Sequence, residues 1–138
     1  MNQDIKKLID ICTENQRFSY APYSQFIVSA VLETKSGEIF TGVNIENAAY
    51  TPTNCAERTA IFKAVSEGYR DFKRILVMGG PDFKCDEFIY PCGVCRQVMA
   101  EFDLSNDMEI ISAKSDYSYM IYSLGELFPY GFGAEDLK

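Results

Sequence analysis

Apolar side chains at Ile5, Leu8, Ile9 and Cys12 recur at helical spacing. They predict an amphipathic helix over 3–15, with Cys12 a buried thiol on its apolar face. The pattern then changes. Tyr-Ala-Pro-Tyr-Ser at 20–24 reads as a loop, and Phe26–Glu33 alternates and is rich in β-branched and aromatic residues. Thr34–Gly37 is a turn signal and Glu38–Ile45 a second strand, so 26–45 is predicted to form a β-hairpin. Residues 46–54 make a polar loop ending at Asn54, a favourable N-cap for a helix over Cys55–Glu67. That helix offers Ala56, Ala60, Ala64 and Val65 as a small-residue packing face, with Gly68 as its stop. Arg74–Met78 is a short buried strand that Gly79-Gly80-Pro81-Asp82 should break. Pro91 opens another helix, with Cys95, Val98, Met99 and Phe102 on one face. Met108–Ala113 reads as a strand, 117–122 as a last one, and Leu124–Leu127 as a short helix before a Gly/Pro-broken tail. Strands alternating with helices after an initial hairpin predict an α/β layered domain. The 138 residues suffice for one core, so one domain over 1–138 is expected.

Composition narrows the chemistry. With 47% hydrophobic and 24% charged residues, the chain is too apolar for disorder. Its longest apolar stretch, Phe26–Leu32, is far short of the roughly 18 residues of a membrane span, and the N-terminus lacks a signal-peptide pattern. No membrane association is expected. The net charge of −7 argues against nucleic acid as a partner and suits a small neutral or cationic ligand. There is no histidine, so no imidazole serves as base or metal ligand. Five cysteines, an odd number without a secretion signal, point to the cytoplasm and to thiols used as ligands or catalytic groups.

Two motifs stand out: Cys55-Ala56-Glu57 and Pro91-Cys92-Gly93-Val94-Cys95, each at a predicted helix start. Helix N-termini favour thiolate, the form that binds metal. Cys92 and Cys95 lie within reach of one ion, and Cys55 completes a three-thiolate zinc site whose fourth position stays open, as in catalytic zinc. A carboxylate two residues after a ligand falls near that position, which makes Glu57 the candidate general acid/base. Zinc deaminases of nucleobases use this arrangement, with a Glu that is not a ligand. Three thiolates leave Zn²⁺ with a net charge of −1, which outer groups should offset. Arg58 and Gln97 are the candidates to donate to the sulfurs, if they are not solvated surface groups.

On these motifs the chain resembles the small homotetrameric cytidine deaminases over nearly its full length. Tyr20–Phe26, Gly42–Tyr50, Cys55–Ile61, Lys63–Gly68, Pro91–Val98 and Leu127–Gly133 carry the match, with Asn44-Ile-Glu-Asn-Ala48 the most specific part. The resemblance implies a three-layer α/β/α fold around a mixed, roughly five-stranded sheet. It implies one zinc per chain on Cys55, Cys92 and Cys95, and Glu57 as proton shuttle. Asn44 and Glu46 would bond the ribose hydroxyls, and Phe26 would pack on the pyrimidine. The backbone at Ala56, Tyr90 and Pro91 would read the base edge. Ala48, Tyr50 and Phe132 would complete the pocket of a neighbouring subunit. Without the resemblance, Asn44 and Glu46 read equally as loop polarity and Phe26 as hairpin core.

The implied reaction is hydrolytic deamination of cytidine and 2′-deoxycytidine, in pyrimidine salvage. A carboxylate at the sugar end favours nucleosides over nucleotides, because it repels a 5′-phosphate. Three alternatives remain at this level. One is a deaminase of another cytosine-containing nucleoside. Another is a structural zinc module closed by Cys85, and the third is a redox pair of Cys92 and Cys95. Thr51-Pro52-Thr53-Asn54 and Tyr130-Gly131 depart from the family's usual residues, and Cys85 has no family role.

Overall fold

The computed structural model describes residues 3–137. Helix α1 (Gln3–Asn15) is followed by strands β1 (Phe26–Thr34) and β2 (Ile39–Val43), helix α2 (Ala56–Ser66) and strand β3 (Phe72–Pro81). Helix α3 (Gly93–Phe102), β4 (Glu109–Ala113), β5 (Tyr119–Tyr122) and α4 (Leu124–Leu127) follow, with a 3-10 turn over Ala134–Leu137 after them. The five strands form one mixed sheet in the order β2-β1-β3-β4-β5. β3 and β4 run parallel, and the other neighbours are antiparallel.

Helices cover both faces. On one side Ile5, Leu8, Ile9 and Cys12 of α1 pack on Val31, Leu76, Met78 and Ile111. On the other, Ala56, Ala60, Ile61 and Ala64 of α2 and Cys95 and Met99 of α3 pack on Ala30, Leu32, Ile75 and Ile110. This is the expected three-layer arrangement. β1 and β3 lie inside the sheet and are buried on both faces, which explains why they read as nearly continuous apolar runs.

Several boundaries differ from the sequence reading. Cys55 and not Asn54 is the N-cap of α2, and Cys92 caps α3, which starts two residues after Pro91. In both helices the extended cap residue is itself a cysteine of the two motifs, so each thiol stands on the turn into its helix. Asn54 instead pairs its backbone with Ile45 and donates its amide to Thr59 Oγ1 at 3.2 Å. β2 is shorter than expected, with Ile45 in an isolated bridge. β3 does not break at Gly79-Gly80 but pairs through Pro81 with Phe26. The glycines are needed there for clearance, because a Cβ on Gly80 would stand 1.8 Å from the Lys84 carbonyl as the chain folds back. Gly68 ends α2 as expected, at φ +99°. The Tyr69 and Gly68 amides reach the Ala64 and Val65 carbonyls, closing the helix end.

The start of β1, the ends of β2 and β3 and the N-terminus of α2 meet at one end of the sheet. Gly42 sets how closely α2 approaches. A Cβ there would lie 2.3 Å from the Ala56 carbonyl oxygen and 2.6 Å from the Ala60 amide. Both are backbone atoms and cannot swing aside. Gly42→Ala is therefore expected to cost about 1–3 kcal/mol in urea unfolding. It should also lower activity by displacing the turn that carries Cys55 and Glu57. Wild-type stability with wild-type activity would contradict this account.

Candidate active site and metal centre

The turns into α2 and α3 bring three sulfurs together. The Sγ atoms of Cys55, Cys92 and Cys95 all lie within 4.8 Å of one another, and Cys55 and Cys92 are 3.6 Å apart. Two thiolates on a tetrahedral zinc, each about 2.3 Å from it, stand about 3.8 Å apart, so the donor set fits that ion. It is the only such cluster among the described residues. Burial is graded: Cys95 is buried, Cys55 half-buried and Cys92 exposed, so the site opens on the Cys92 side.

Arg58 lies one turn beyond Cys55, and its Nη2 donates to Cys55 Sγ at 3.2 Å. It also interacts electrostatically with Cys95. Hydrogen bonds from the Cys95 thiol, and after it from Arg58, draw the Cys55 thiol down to about 5 against the opposing effect of burial. Cys95 is pushed the other way, first by its bond to Cys55 and then by burial. Arg58 thus places a cationic group against the sulfurs. Gln97 does not donate to them. Its Nε2 donates to the Phe132 carbonyl at 2.8 Å. Two residues along a helix turn the side chain about 200° from Cys95, which aims Gln97 away from the sulfurs.

Glu57 is only 4% exposed. Burial, with the nearby Cys55 adding to it, pushes its carboxyl up to about 7. It faces a cavity of about 280 Å³ whose walls also include Phe26, Val28, Asn44, Glu46, Thr53, Asn54, Cys55, Ala56, Ile89, Tyr90 and Cys92. Most residues singled out from sequence thus line one space: Cys55, Cys92 and Glu57 with Phe26, Asn44 and Glu46, while Cys95 is buried against the other two sulfurs and does not line it. Pro91 is buried beside it.

The polar end is built by the 20–24 loop. Glu46 accepts from the Tyr23 and Ser24 amides at 2.9 and 3.1 Å and from the Ser24 hydroxyl. That hydroxyl, more than the amides, holds the carboxyl below its ordinary value. Asn44 is more committed than expected. Its Nδ2 donates to the Phe26 carbonyl at 2.7 Å, and its Oδ1 accepts from the Val28 amide at 3.0 Å and from the Ser19 hydroxyl. It thereby fastens the start of β1, and one amide hydrogen is left for a ligand. Glu46 and Thr53 also line an adjoining cavity of about 410 Å³ with Tyr23, Ser24, Asn47 and Tyr50.

Ala48 and Phe132 line neither cavity; Tyr50 lines the adjoining one. Val28, Thr53, Asn54 and Ile89 line the main cavity unforeseen. Val28 was legible, because residues two apart in a strand share a face with Phe26. Ile89 was not, since the long 82–90 loop carries it in. Tyr90 packs edge-on against Tyr122 of β5, with ring centroids 5.6 Å apart. Cys85 lies on the far face of the sheet with α1, where Gln16 Nε2 donates to its sulfur at 2.8 Å. It cannot close a four-cysteine site.

Comparison with known proteins agrees with this geometry. Residues 2–108 match the family model of the cytidine and deoxycytidylate deaminase zinc-binding region. The chain is 49% identical to the probable cytidine deaminase of Dictyostelium discoideum, across 99% of this chain and 90% of that one. It is 43% identical to the cytidine deaminase of Sporosarcina psychrophila, across 98% and 96%. Among solved structures, the cytidine deaminase of Burkholderia pseudomallei superposes with a TM-score of 0.83 at 40% identity, covering 92% of this chain and 98% of that one. The chain accordingly belongs to the cytidine and deoxycytidylate deaminase zinc-binding family.

Proposed function

We propose that the protein hydrolyses cytidine and 2′-deoxycytidine to uridine and 2′-deoxyuridine with release of ammonia. The observation that carries this is a cluster of three thiols, two of which line one cavity together with buried Glu57, the Glu46 carboxylate and the Asn44 amide. Cys55, Cys92 and Cys95 would hold zinc, which would supply a water acidified toward a pKa of about 7. Glu57 takes a proton from the attacking water and delivers it to N3 as the water oxygen bonds to C4. It then takes the proton of the new C4 hydroxyl and gives it to the amino group, and the C4–N bond breaks to release ammonia. Backbone groups at Ala56, Tyr90 and Pro91 hold the base edge, Phe26 packs on the ring, and Asn44 and Glu46 accept or donate at the ribose hydroxyls. Arg58 keeps the thiolate cluster from accumulating negative charge.

Ala48, Tyr50 and Phe132 serve a neighbouring copy in a homotetramer on this reading. The exposure of Tyr50 and Phe132, and the absence of Ala48 and Phe132 from their own chain's cavity, support it. A cytoplasmic role in pyrimidine salvage goes with the reaction. Five free cysteines are consistent with a reducing compartment. No helix among the described residues is long and apolar enough to cross a membrane.

No lysine or arginine lines either cavity among the described residues, and Glu46 lines both. A 5′-phosphate would meet a carboxylate and no counter-charge. Ultraviolet assays of a substrate panel are therefore expected to show cytidine and 2′-deoxycytidine converted. Their kcat/KM should exceed that of cytidine 5′-monophosphate on the order of 100-fold. Preference for the nucleotide, or for another cytosine nucleoside over both, would overturn the assignment.

A further inference from the structure

Arg96 and Gln97 directly follow Cys95, and both reach the C-terminal segment. Arg96 Nη1 donates to the Leu127 carbonyl at 2.7 Å, and Gln97 Nε2 to the Phe132 carbonyl at 2.8 Å. Arg96 Nε also donates to the Pro91 carbonyl at 2.8 Å, on the loop that leads into α3. Leu127 is the last residue of α4; beyond it the Phe128 amide donates to the Leu124 carbonyl at 2.7 Å and the Gly133 amide to Asp136 at 2.8 Å. Phe128 packs at the edge of the core. Gly131 lies against its ring, where a Cβ would stand 2.2 Å from a ring carbon. Tyr130 sits at φ +58° with its side chain wholly in solvent, and Phe132 is 55% exposed. Consecutive residues of α3 thus close this bracket at both ends.

We propose that Gln97, with Arg96, is a positioning residue for substrate binding. It fixes the backbone of Phe132 and so presents the ring at a set place and angle to the cavity of a second copy. The inference rests on the reading that Phe132 completes a neighbouring chain's pocket. Its physical basis is pre-organisation. A ring on a mobile segment must be ordered when substrate binds, and the lost entropy weakens binding. Phe132 lines neither cavity of its own chain and is held through its backbone, so its loosening is expected to act on KM rather than on zinc content or kcat.

The test is steady-state kinetics and zinc analysis of Gln97→Ala, Gln97→Glu, Gln97→Lys, Phe132→Ala and the Gln97→Ala/Phe132→Ala double variant. Loss of one hydrogen bond predicts a KM roughly three- to tenfold higher for Gln97→Ala. Gln97→Glu, which sets an acceptor against a carbonyl, should do no better. Gln97→Lys restores a donor and should return KM to within about twofold of wild type. Phe132→Ala should raise KM at least as much, and the double variant should be no worse than Phe132→Ala alone. If Phe132→Ala raises KM and Gln97→Ala does not, the positioning role falls and the shared pocket stands. If Phe132→Ala leaves KM unchanged, the shared pocket falls and this inference with it. A change confined to zinc content or kcat in Gln97→Ala would place Gln97 with the thiolates and overturn the proposal.

Discussion

Glu57→Ala is expected to lower kcat for cytidine by about three to four orders of magnitude while zinc stays at one per chain. The carboxylate sits in the first turn of α2, buried beside Cys55 and facing the cavity; besides the thiols, the other ionisable groups lining it are Glu46, bonded to Tyr23 and Ser24, and Tyr90, whose hydroxyl pairs with that of Tyr122. With no histidine in the chain, no imidazole can take over its task. Glu57→Gln sharpens the test, because it preserves volume and hydrogen-bonding capacity but cannot carry a proton. Both variants should remain folded. Burying a carboxylate is costly, so replacing it in a buried position removes a strained group rather than a support. The measurement is loss of the cytidine absorbance against time for equal concentrations of zinc-loaded protein. Turnover near wild type in either variant would remove Glu57 from the chemistry.

The second large effect concerns the metal. Cys95→Ala removes the buried thiol of the cluster and should bring zinc from one per chain to a small fraction, with loss of activity. Folding is linked to the ion, because a metal that binds the native chain stabilises it by several kcal/mol once it exceeds its dissociation constant about 100-fold. For a chain of this size that corresponds to a fall in Tm on the order of 10 °C, readable by calorimetry. Chelation of the wild-type protein should reproduce the drop, and added zinc should reverse it. Cys85→Ser is the control. Its sulfur is on the opposite face of the sheet, bonded to Gln16, so zinc should stay at one per chain. Zinc loss in Cys85→Ser with retention in Cys95→Ala would mean that the ligand set is misassigned.

The reading of helices and strands from periodicity agreed with the structure in kind and order, and differed mostly at the ends. The ends depend on where the backbone leaves the helical region. For α2 that residue is Cys55, although Asn54 has the better intrinsic capping side chain, because Asn54 is held in a bridge with Ile45. Gly79-Gly80 looked like a break because glycine usually is one. In the sheet it continues β3, because the returning loop passes too close for any side chain.

By itself the sequence determined the candidate chemistry. A Cys-Ala-Glu and a Pro-Cys-x-x-Cys in a chain without histidine name three thiols and one carboxylate, because the spacing within each helix start is a local property; that the two helix starts meet is a tertiary one. The resemblance extended that to a substrate class. Which way the neighbouring side chains point follows from helix phase, and tertiary structure decided what they reach. Arg58 and Gln97 looked equivalent as donors to sulfur, yet one reaches Cys55 and the other the Phe132 carbonyl. The difference comes from helix phase: Arg58 is three residues from its ligand and returns to the same face, and Gln97 is two residues from Cys95 and does not. Cys85 likewise could be placed only once the sheet separated its face from that of the other thiols. Ile89 could be placed only once the 82–90 loop closed over the cavity. Local spacing fixes contacts within one turn of helix, and packing of distant segments fixes the rest.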